Sequence, residues 1–322
     1  MRAIEFIGPR KIRLRDDAPT PEPQPGEVLV QCRYVALCGT NMGPYLHDGR
    51  WANPAIQRPP GWLGHENIGV IVRSRAADWP EGTPVLAHPD DYNGFAEYIR
   101  SKPAGLARLP ENLPDLAAMV VAQPLATVLR AMVRTGPVIG QRSAVLGQGP
   151  MGLIFTHLLR RMGASQVIGI DRVAWRLGWA TRFGATSVVD ASREDVVETV
   201  RAQTGGKMID FCVEAVGRPE ALDVAARLPC RQGRLYVFGV PHHERQTFPW
   251  FHTVGNETEL ITSMGPECMD YFQTAVNMIV DGHVDLMPMV TPRLPWDRAA
   301  EAFEMYANPE GAEGSLKVTL VM

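Results

Sequence analysis

The 322-residue sequence has no C-x-x-C pair, no basic run and no uninterrupted apolar stretch long enough to span a bilayer. Each absence removes a class of protein. Its five cysteines, Cys32, Cys38, Cys212, Cys230 and Cys268, are scattered and odd in number, so a disulfide framework or a zinc ribbon is not expected and reduced thiols are the default. Cys32 and Cys212 stand in apolar strand-like runs and are expected to be buried packing residues. The formal charge is only -3, from 32 basic and 35 acidic residues, which leaves no electrostatic track for nucleic acid or an anionic membrane. The N-terminus "MRAIEFIGPRKIRL" lacks the apolar core of a secretory signal. The most apolar segment, "LAAMVVAQPLATVLRAMV", is broken by Gln123, Pro124 and Arg130, a poor membrane span. A soluble, cytoplasmic protein with no nucleic-acid or membrane partner is the expectation. With 45% apolar and 21% charged residues, the chain has globular composition and enough length for two domains.

The texture changes near the middle. Residues 1 to about 115 are rich in proline and in short β-like runs such as "EVLVQCRYVAL", "NIGVIV", "TPVLAH" and "GFAEYI", which predicts a compact β unit with irregular loops. From about residue 123 strand and helix alternate: "SAVLGQ", "GLIFTHLLRRMG", "QVIGID", "AWRLGWATRFG" and onward to "GRLYVFGV". That alternation implies right-handed crossovers and a parallel sheet covered on both faces. Trp175 and Trp179, four apart on one predicted helix, read as packing residues.

Within the second part, "SAVLGQGPMGLIF" places Gly147, Gly149 and Gly152 in G-x-G-x-x-G, directly after a strand and at the opening of a helix. The first glycine permits a tight turn, the second lets a pyrophosphate approach the backbone, and the third allows close helix–strand packing. The helix N-terminus offers free N–H groups to the anion. The next strand ends in Asp171, a carboxylate suited to both ribose hydroxyls of adenosine and repulsive to a 2′-phosphate. NAD is therefore favoured over NADP, with the adjacent Arg172 working against that preference.

A nicotinamide cofactor needs a partner site for carbonyl chemistry. "ALCGTNMGPY" and "GWLGHENIGVIV" supply Cys38, His65 and Glu66, a thiolate, an imidazole and a carboxylate of the kind a catalytic Zn²⁺ accepts. Neighbours in extended backbone point to opposite faces. His65 and Glu66 can share a metal only if the chain bends there, with Gly64 as the candidate bend; otherwise Glu66 stands behind the ligands.

Taken in order, "CGTN", "GHENIGVIV", "GFAEY", "QPLATVL", "GQGPMG", "VEAVG", "FGV" and "MVTPRLPWDRAAEAFEMY" resemble the medium-chain dehydrogenase/reductase superfamily, zinc alcohol dehydrogenase type, over nearly the whole chain. The resemblance implies an α/β protein with a GroES-like β-rich catalytic domain at 1–122 and 266–322, around a Rossmann NAD(P)-binding domain at 123–265, with the active site in the cleft between them. It implies cofactor contacts at Gly147, Gly149, Pro150, Met151, Gly152, Asp171, Arg172, Val216 and Gly239, one catalytic zinc, a small alcohol or carbonyl substrate, and a homodimer or homotetramer paired through the "NETELITSMG" edge.

Departures from the family pattern matter as much. The four-cysteine lobe that should follow "EGTPVLAH" is missing, so no structural zinc is expected. The third catalytic ligand of relatives, at the start of the "PLA" helix, is Gln123, a weak zinc donor. The relay histidine five residues after the cysteine is Gly43, which leaves His47 as a speculative alternative. "AQPLAT" is similar to the sugar-binding segment of archaeal glucose dehydrogenases, except that Thr127 replaces an acidic residue. A polyol, sugar or amino-sugar alcohol is expected in a pocket of Asn41, Glu97, Gln123 and Thr127. Asn41 reads equally as a helix cap, Glu97 as an exposed strand charge and Gln123 as a helix start. The expected chemistry is hydride transfer with a metal held by Cys38, His65, Glu66 and weakly Gln123, and with Thr40 relaying the hydroxyl proton. Two rivals stay open: a zinc-free reductase of an enone or quinone, and a non-catalytic NAD-binding sensor or structural protein. His242, His243 and His252 are not expected to bind metal and are candidates to line the cofactor or substrate cleft, while Trp250 and Phe251, with Asn256, read either as an apolar wall there or as an oligomer contact.

Overall fold

The computed structural model describes residues 1–322 apart from Pro54, Gln57, His242 and Gly265 and the side chains of Arg50, Pro266 and Glu267. The chain folds as two compact units, Met1–Leu129 with Pro266–Met322, and Arg130–Gly265.

The first unit begins with an antiparallel hairpin, β1 (Ala3–Gly8) and β2 (Lys11–Arg15), followed by β3 (Val28–Ala36), α1 (Met42–Leu46), β4 (Asn67–Ser74), β5 (Pro84–Ala87), β6 (Tyr98–Ser101), β7 (Leu106–Arg108) and α2 (Ala122–Thr135), of which the part up to Leu129 belongs to this unit. In the long β3, Val28, Val30, Cys32 and Val35 are buried while Arg33 is exposed, the alternation that puts one face of a sheet on a core. That core closes over Phe6, Tyr45, Phe95 and Phe303. Phe303 lies 5.4 Å from Phe6, 5.3 Å from Phe95 and 5.1 Å from Tyr45 between ring centroids, the first two contacts edge-on. The Tyr45 hydroxyl donates to Glu304 Oε1 at 2.5 Å, and Arg10 grips the same carboxylate. This anchors α1, the helix just after Cys38, to the hairpin.

The second unit is a doubly wound parallel sheet: β8 (Arg142–Leu146), α3 (Pro150–Arg161), β9 (Gln166–Asp171), α4 (Ala174–Arg182), β10 (Ser187–Asp190), α5 (Val196–Gln203), β11 (Ile209–Glu214), α6 (Pro219–Ala226), β12 (Pro229–Val237), α7 (Trp250–Gly255) and β13 (Glu259–Thr262). Its strand order is β10-β9-β8-β11-β12-β13, all parallel. The order reverses between β8 and β11, and ligands of such sheets bind outside the strand ends at that reversal. The central strands β8 and β9 are buried almost throughout, as a sheet with helices on both faces requires.

The chain then returns to the first unit through α8 (Phe272–Val280), β14 (Arg293–Pro295), α9 (Ala299–Ala307) and β15 (Thr319–Val321), completing a sheet of order β14-β15-β3-β4-β5-β7 with β6 also on β3. Thr319 pairs with Ala36, and Val35 with Asn67. Three neighbouring strands therefore place the segments around Cys38, Glu66 and Lys317 at one end of the sheet. None of the five cysteines is in a disulfide, and Cys32, Cys212 and Cys268 are buried. The segment Leu116–Thr135 is long and apolar enough to cross a membrane, but 72% of its most apolar window is buried within the protein, as in a core helix.

Candidate active site

Cys38 follows β3 directly, and His65 and Glu66 precede β4. Their donor atoms all lie within 4.8 Å of one another. His65 and Glu66 lie just before β4, outside its hydrogen-bonded span, and the approach of their donor atoms shows that both side chains reach one site. Gly64 serves this arrangement by proximity and not by an unusual backbone angle. Its Cα lies so close to Gly94 and Phe95 that any Cβ would overlap their backbone, and its carbonyl accepts from the Gly94 N–H at 3.0 Å.

His65 Nδ1 is 2.9 Å from the Leu63 carbonyl, which assigns the proton to Nδ1 and leaves Nε2 as the ligand atom, the usual support of a metal-bound imidazole. Burial lowers the His65 pKa, which keeps the imidazole neutral and able to coordinate. The Thr40 hydroxyl is buried and has no hydrogen-bond partner among the described residues, a state that costs about 1–3 kcal/mol unless a ligand completes it.

Asn41 has a different place from the one expected. It is buried, its Oδ1 accepts from the Cys38 N–H at 2.6 Å, and its Nδ2 donates to the Leu63 carbonyl at 3.0 Å. Its amide thus joins the backbones that carry Cys38 and His65, and is spent on doing so. Glu97 also turns elsewhere: its carboxylate accepts from the Arg2 N–H at 3.1 Å and pairs with the Arg2 guanidinium at 3.4 Å. Thr127 donates to the Gln123 carbonyl at 3.2 Å, so its hydroxyl is returned to its own helix. Gln123 is buried in the first turn of α2, and no described residue hydrogen-bonds its amide. Of the four residues expected to form a polar pocket, only Gln123 keeps its polar group uncommitted. His47, the speculative relay, faces Arg58 at 3.5 Å. The space beside Gly43 is filled by the Trp51 indole, which a Cβ would strike.

Lys317 is the residue that sequence reasoning missed. It is 1% exposed and donates to both oxygens of Glu66, at 2.6 and 2.8 Å, and to the Leu37 carbonyl at 3.1 Å. Burial pushes the Glu66 carboxyl up to about 7 against the pull of Lys317. Burial also opposes the lysine's charge, yet the Glu66 carboxylate holds its pKa above the ordinary value. An ammonium has only donors, so a proton on either carboxyl oxygen would face another proton; the pair is ionic. The signal was a lysine inside the apolar "GSLKVTLVM", since a fully buried lysine is rare unless paired.

In the second unit, Gly147 has φ 88° and its N–H donates to the Ile170 carbonyl at 2.8 Å. Gly149 caps α3 with Pro150 in its first turn, leaving the helix N-terminus free for an anion. A Cβ on Gly152 would overlap the Gly147 carbonyl oxygen. Met151 is half-buried beside it. Asp171 is buried, and both its oxygens already accept backbone N–H groups, from Gln148 at 2.6 Å and Val173 at 2.8 Å. It is first a strut of the glycine turn, with lone pairs remaining for ribose. Arg172 is exposed. Arg176, which belongs to no motif in the sequence, stands 3.9 Å from Asp171 and 3.8 Å from the Cβ position of Gly149, with its buried Nε lacking a partner among the described residues. Across the strand reversal, Glu214 Oε1 accepts from Val216 and Gly217 while its carbonyl accepts from Phe238 and Gly239. This fixes both the Val216 and Gly239 turns. His243 and Phe251 are exposed, His252 pairs with Asn256 at 3.0 Å, and Trp250 is 61% exposed; His242 lies outside the described residues.

A thiol, an imidazole and a carboxylate converge in the β-rich unit, and the other unit is a dinucleotide-type sheet, a combination that defines a metal-assisted oxidoreductase. Residues 24–111 match the alcohol dehydrogenase GroES-like domain and residues 150–281 the zinc-binding dehydrogenase domain. The chain is 28% identical to human (Homo sapiens) sorbitol dehydrogenase over 342 residues, covering 96% of this chain and 94% of that one. It is 27% identical to L-threonine 3-dehydrogenase of Bacillus licheniformis over 316 residues, 89% and 90% of the two chains. The alcohol dehydrogenase of Thermus sp. ATN1 superposes with a TM-score of 0.84 at 25% identity, covering 100% of this chain and 99% of that one. The chain belongs to the zinc-dependent medium-chain dehydrogenase/reductase superfamily and is an oxidoreductase of the zinc-type alcohol dehydrogenase class, with a GroES-like and a Rossmann-like α/β architecture.

Proposed function

We propose that this protein is an NAD-dependent dehydrogenase of a secondary alcohol of polyol, sugar or amino-sugar type, with one catalytic zinc and no structural zinc. The convergence of Cys38, His65 and Glu66 within 4.8 Å carries the reading. The donor set suits zinc: Cys38 and His65 Nε2 would hold it, with Gln123 as a weak third donor. Glu66, its charge balanced by Lys317, sits behind the ligands. When bound, zinc supplies Lewis acidity to the substrate oxygen and the nicotinamide supplies or accepts hydride. Thr40, whose buried hydroxyl has no partner among the described residues, would relay the substrate hydroxyl's proton to solvent, accepting it as it gives up its own. Asn41 keeps the Cys38 and His65 segments in register.

The sorbitol and threonine dehydrogenase relatives support a hydroxyl-bearing carbon flanked by polar groups. Asp171 supports NAD, with Arg176 as a second cofactor contact. The cysteine-free passage from β5 to Tyr98 supports the absence of a structural zinc. The exposed Trp250, Phe251, Val254 and Met264 support self-association as a homodimer or homotetramer, in the cytoplasm. The test is elemental analysis of protein purified without chelator, alongside Cys38→Ala. About one zinc per chain, lost in the variant, with NAD-coupled turnover of polyols, is expected. No zinc in either protein would sink the mechanism.

A further inference from the structure

Where the chain shortcuts from β5 to Ala96, Tyr92 adopts φ 60°, a left-handed backbone that a bulky residue rarely occupies and that glycine takes freely. A turn closes just before it, with the Tyr92 N–H donating to the Pro89 carbonyl at 3.2 Å. Its ring stands edge-to-face with two imidazoles, 4.8 Å from His88 at 85° and 6.2 Å from His65 at 67°. His88 is buried, and its ring lies 6.1 Å from His65. Tyr92 itself keeps 36% of its surface exposed. An aromatic side chain is thus held in an unfavourable backbone conformation, with one side against a candidate metal ligand and the other toward solvent. Strain of this kind persists where the surroundings over-determine it, and it clusters at functional sites.

We propose that Tyr92 is a specificity-determining residue: its ring walls one side of the space next to His65 and restricts the carbon skeleton of the alcohol that can approach. This rests on the alcohol dehydrogenase reading above. A phenol ring in that position leaves room for a slim or unbranched chain. Its removal opens a volume the size of the ring beside the ligand, with His88 remaining as a second ring of the shortened β5–Ala96 passage near His65. The backbone favours glycine, so Tyr92→Gly is expected to fold, and Tyr92→Phe keeps the ring while removing the hydroxyl.

Two measurements separate the wall from the reaction. In metal-free protein, carbethoxylation of His65 and His88 by diethyl pyrocarbonate, read peptide by peptide by mass spectrometry, is expected to accelerate about ten-fold or more in Tyr92→Gly and to stay within about two-fold of the parent in Tyr92→Phe. In zinc-loaded protein, the ratio of kcat/KM for cyclohexanol over 2-propanol is expected to rise about ten-fold or more in Tyr92→Gly and to hold in Tyr92→Phe, since even one methylene in a fitted pocket is worth that much. Unchanged carbethoxylation in Tyr92→Gly overturns the wall. Faster carbethoxylation with an unchanged ratio overturns the specificity role. Absence of turnover in the zinc-loaded parent with every alcohol tried overturns the dehydrogenase reading and with it the specificity role, while the carbethoxylation rates still decide the wall.

Discussion

Replacing Lys317 by methionine removes the only ammonium among the described residues that meets the Glu66 carboxylate and leaves an acid that is 1% exposed without its counter-charge. Breaking a buried ion pair from one side costs about 3–5 kcal/mol, because the remaining group keeps its desolvation penalty and loses its compensation. At roughly 2–4 °C per kcal/mol for a domain of this size, the unfolding transition of the first unit should drop by about 10 °C. The measurement is differential scanning calorimetry on metal-free protein, so that zinc binding does not add to the result. Methionine matches the stem of lysine and limits the cavity contribution. The double variant Lys317→Met/Glu66→Leu removes both charges and should regain most of the loss, since apolar replacement of a whole buried pair is often neutral. A single variant that loses less than about 1 kcal/mol, or a double variant whose loss is the sum of the two singles, would refute the claim that the pair is a coupled ionic unit.

Burial lowers His88 to about 4, with the neighbouring His65 pushing the same way. The unfolded chain takes up this proton near the ordinary value of 6.5, so it binds more protons than the fold between the two values and stability falls as pH drops from about 6.5 to 4. The full contribution is roughly 3 kcal/mol, and urea titrations of His88→Phe in metal-free protein should show a flatter slope across that window. Asn41→Ala leaves the Cys38 N–H unpartnered and the Leu63 carbonyl with His65 Nδ1 as its remaining donor, and should cost about 1–3 kcal/mol, together with a lower zinc content by elemental analysis. Arg176→Ala should weaken NAD binding by about ten-fold in fluorescence titration, the loss of one charge-assisted contact, with zinc content unchanged. Gly152→Ala sets a methyl against the Gly147 carbonyl; it should abolish measurable NAD binding and destabilise the second unit by about 1–3 kcal/mol in calorimetry.

Much of this protein was written locally. The glycine turn, the helix after it and Asp171 follow from short-range spacing, because a tight turn needs a residue free to take φ 88° and close packing needs a residue without a Cβ. The strand–helix alternation identified a parallel sheet because crossover connections leave few alternatives. Cys38, His65 and Glu66 stood out as a donor set. Their convergence depended on where β3 ends and β4 begins, a matter of strand register that no local window contains.

The three-dimensional structure decided which polar residues were already occupied. Asn41, Glu97 and Thr127 offered the right groups for a polyol, but a side chain's availability depends on what its neighbours demand, and here backbone groups and Arg2 claim them first. Lys317 is 251 positions from Glu66, and only the pairing of β15 with β3 brings the two together. Tyr92 carries no motif at all; its place beside His65 is set by how a shortened loop closes. The sequence by itself determined the family, the two kinds of sheet and the chemistry of the donors, because those rest on periodicity and residue type. The tertiary structure determined which charges are balanced, which hydroxyl is left waiting and which ring stands over the ligand, because burial and hydrogen-bond partners are properties of segments brought together from across the chain.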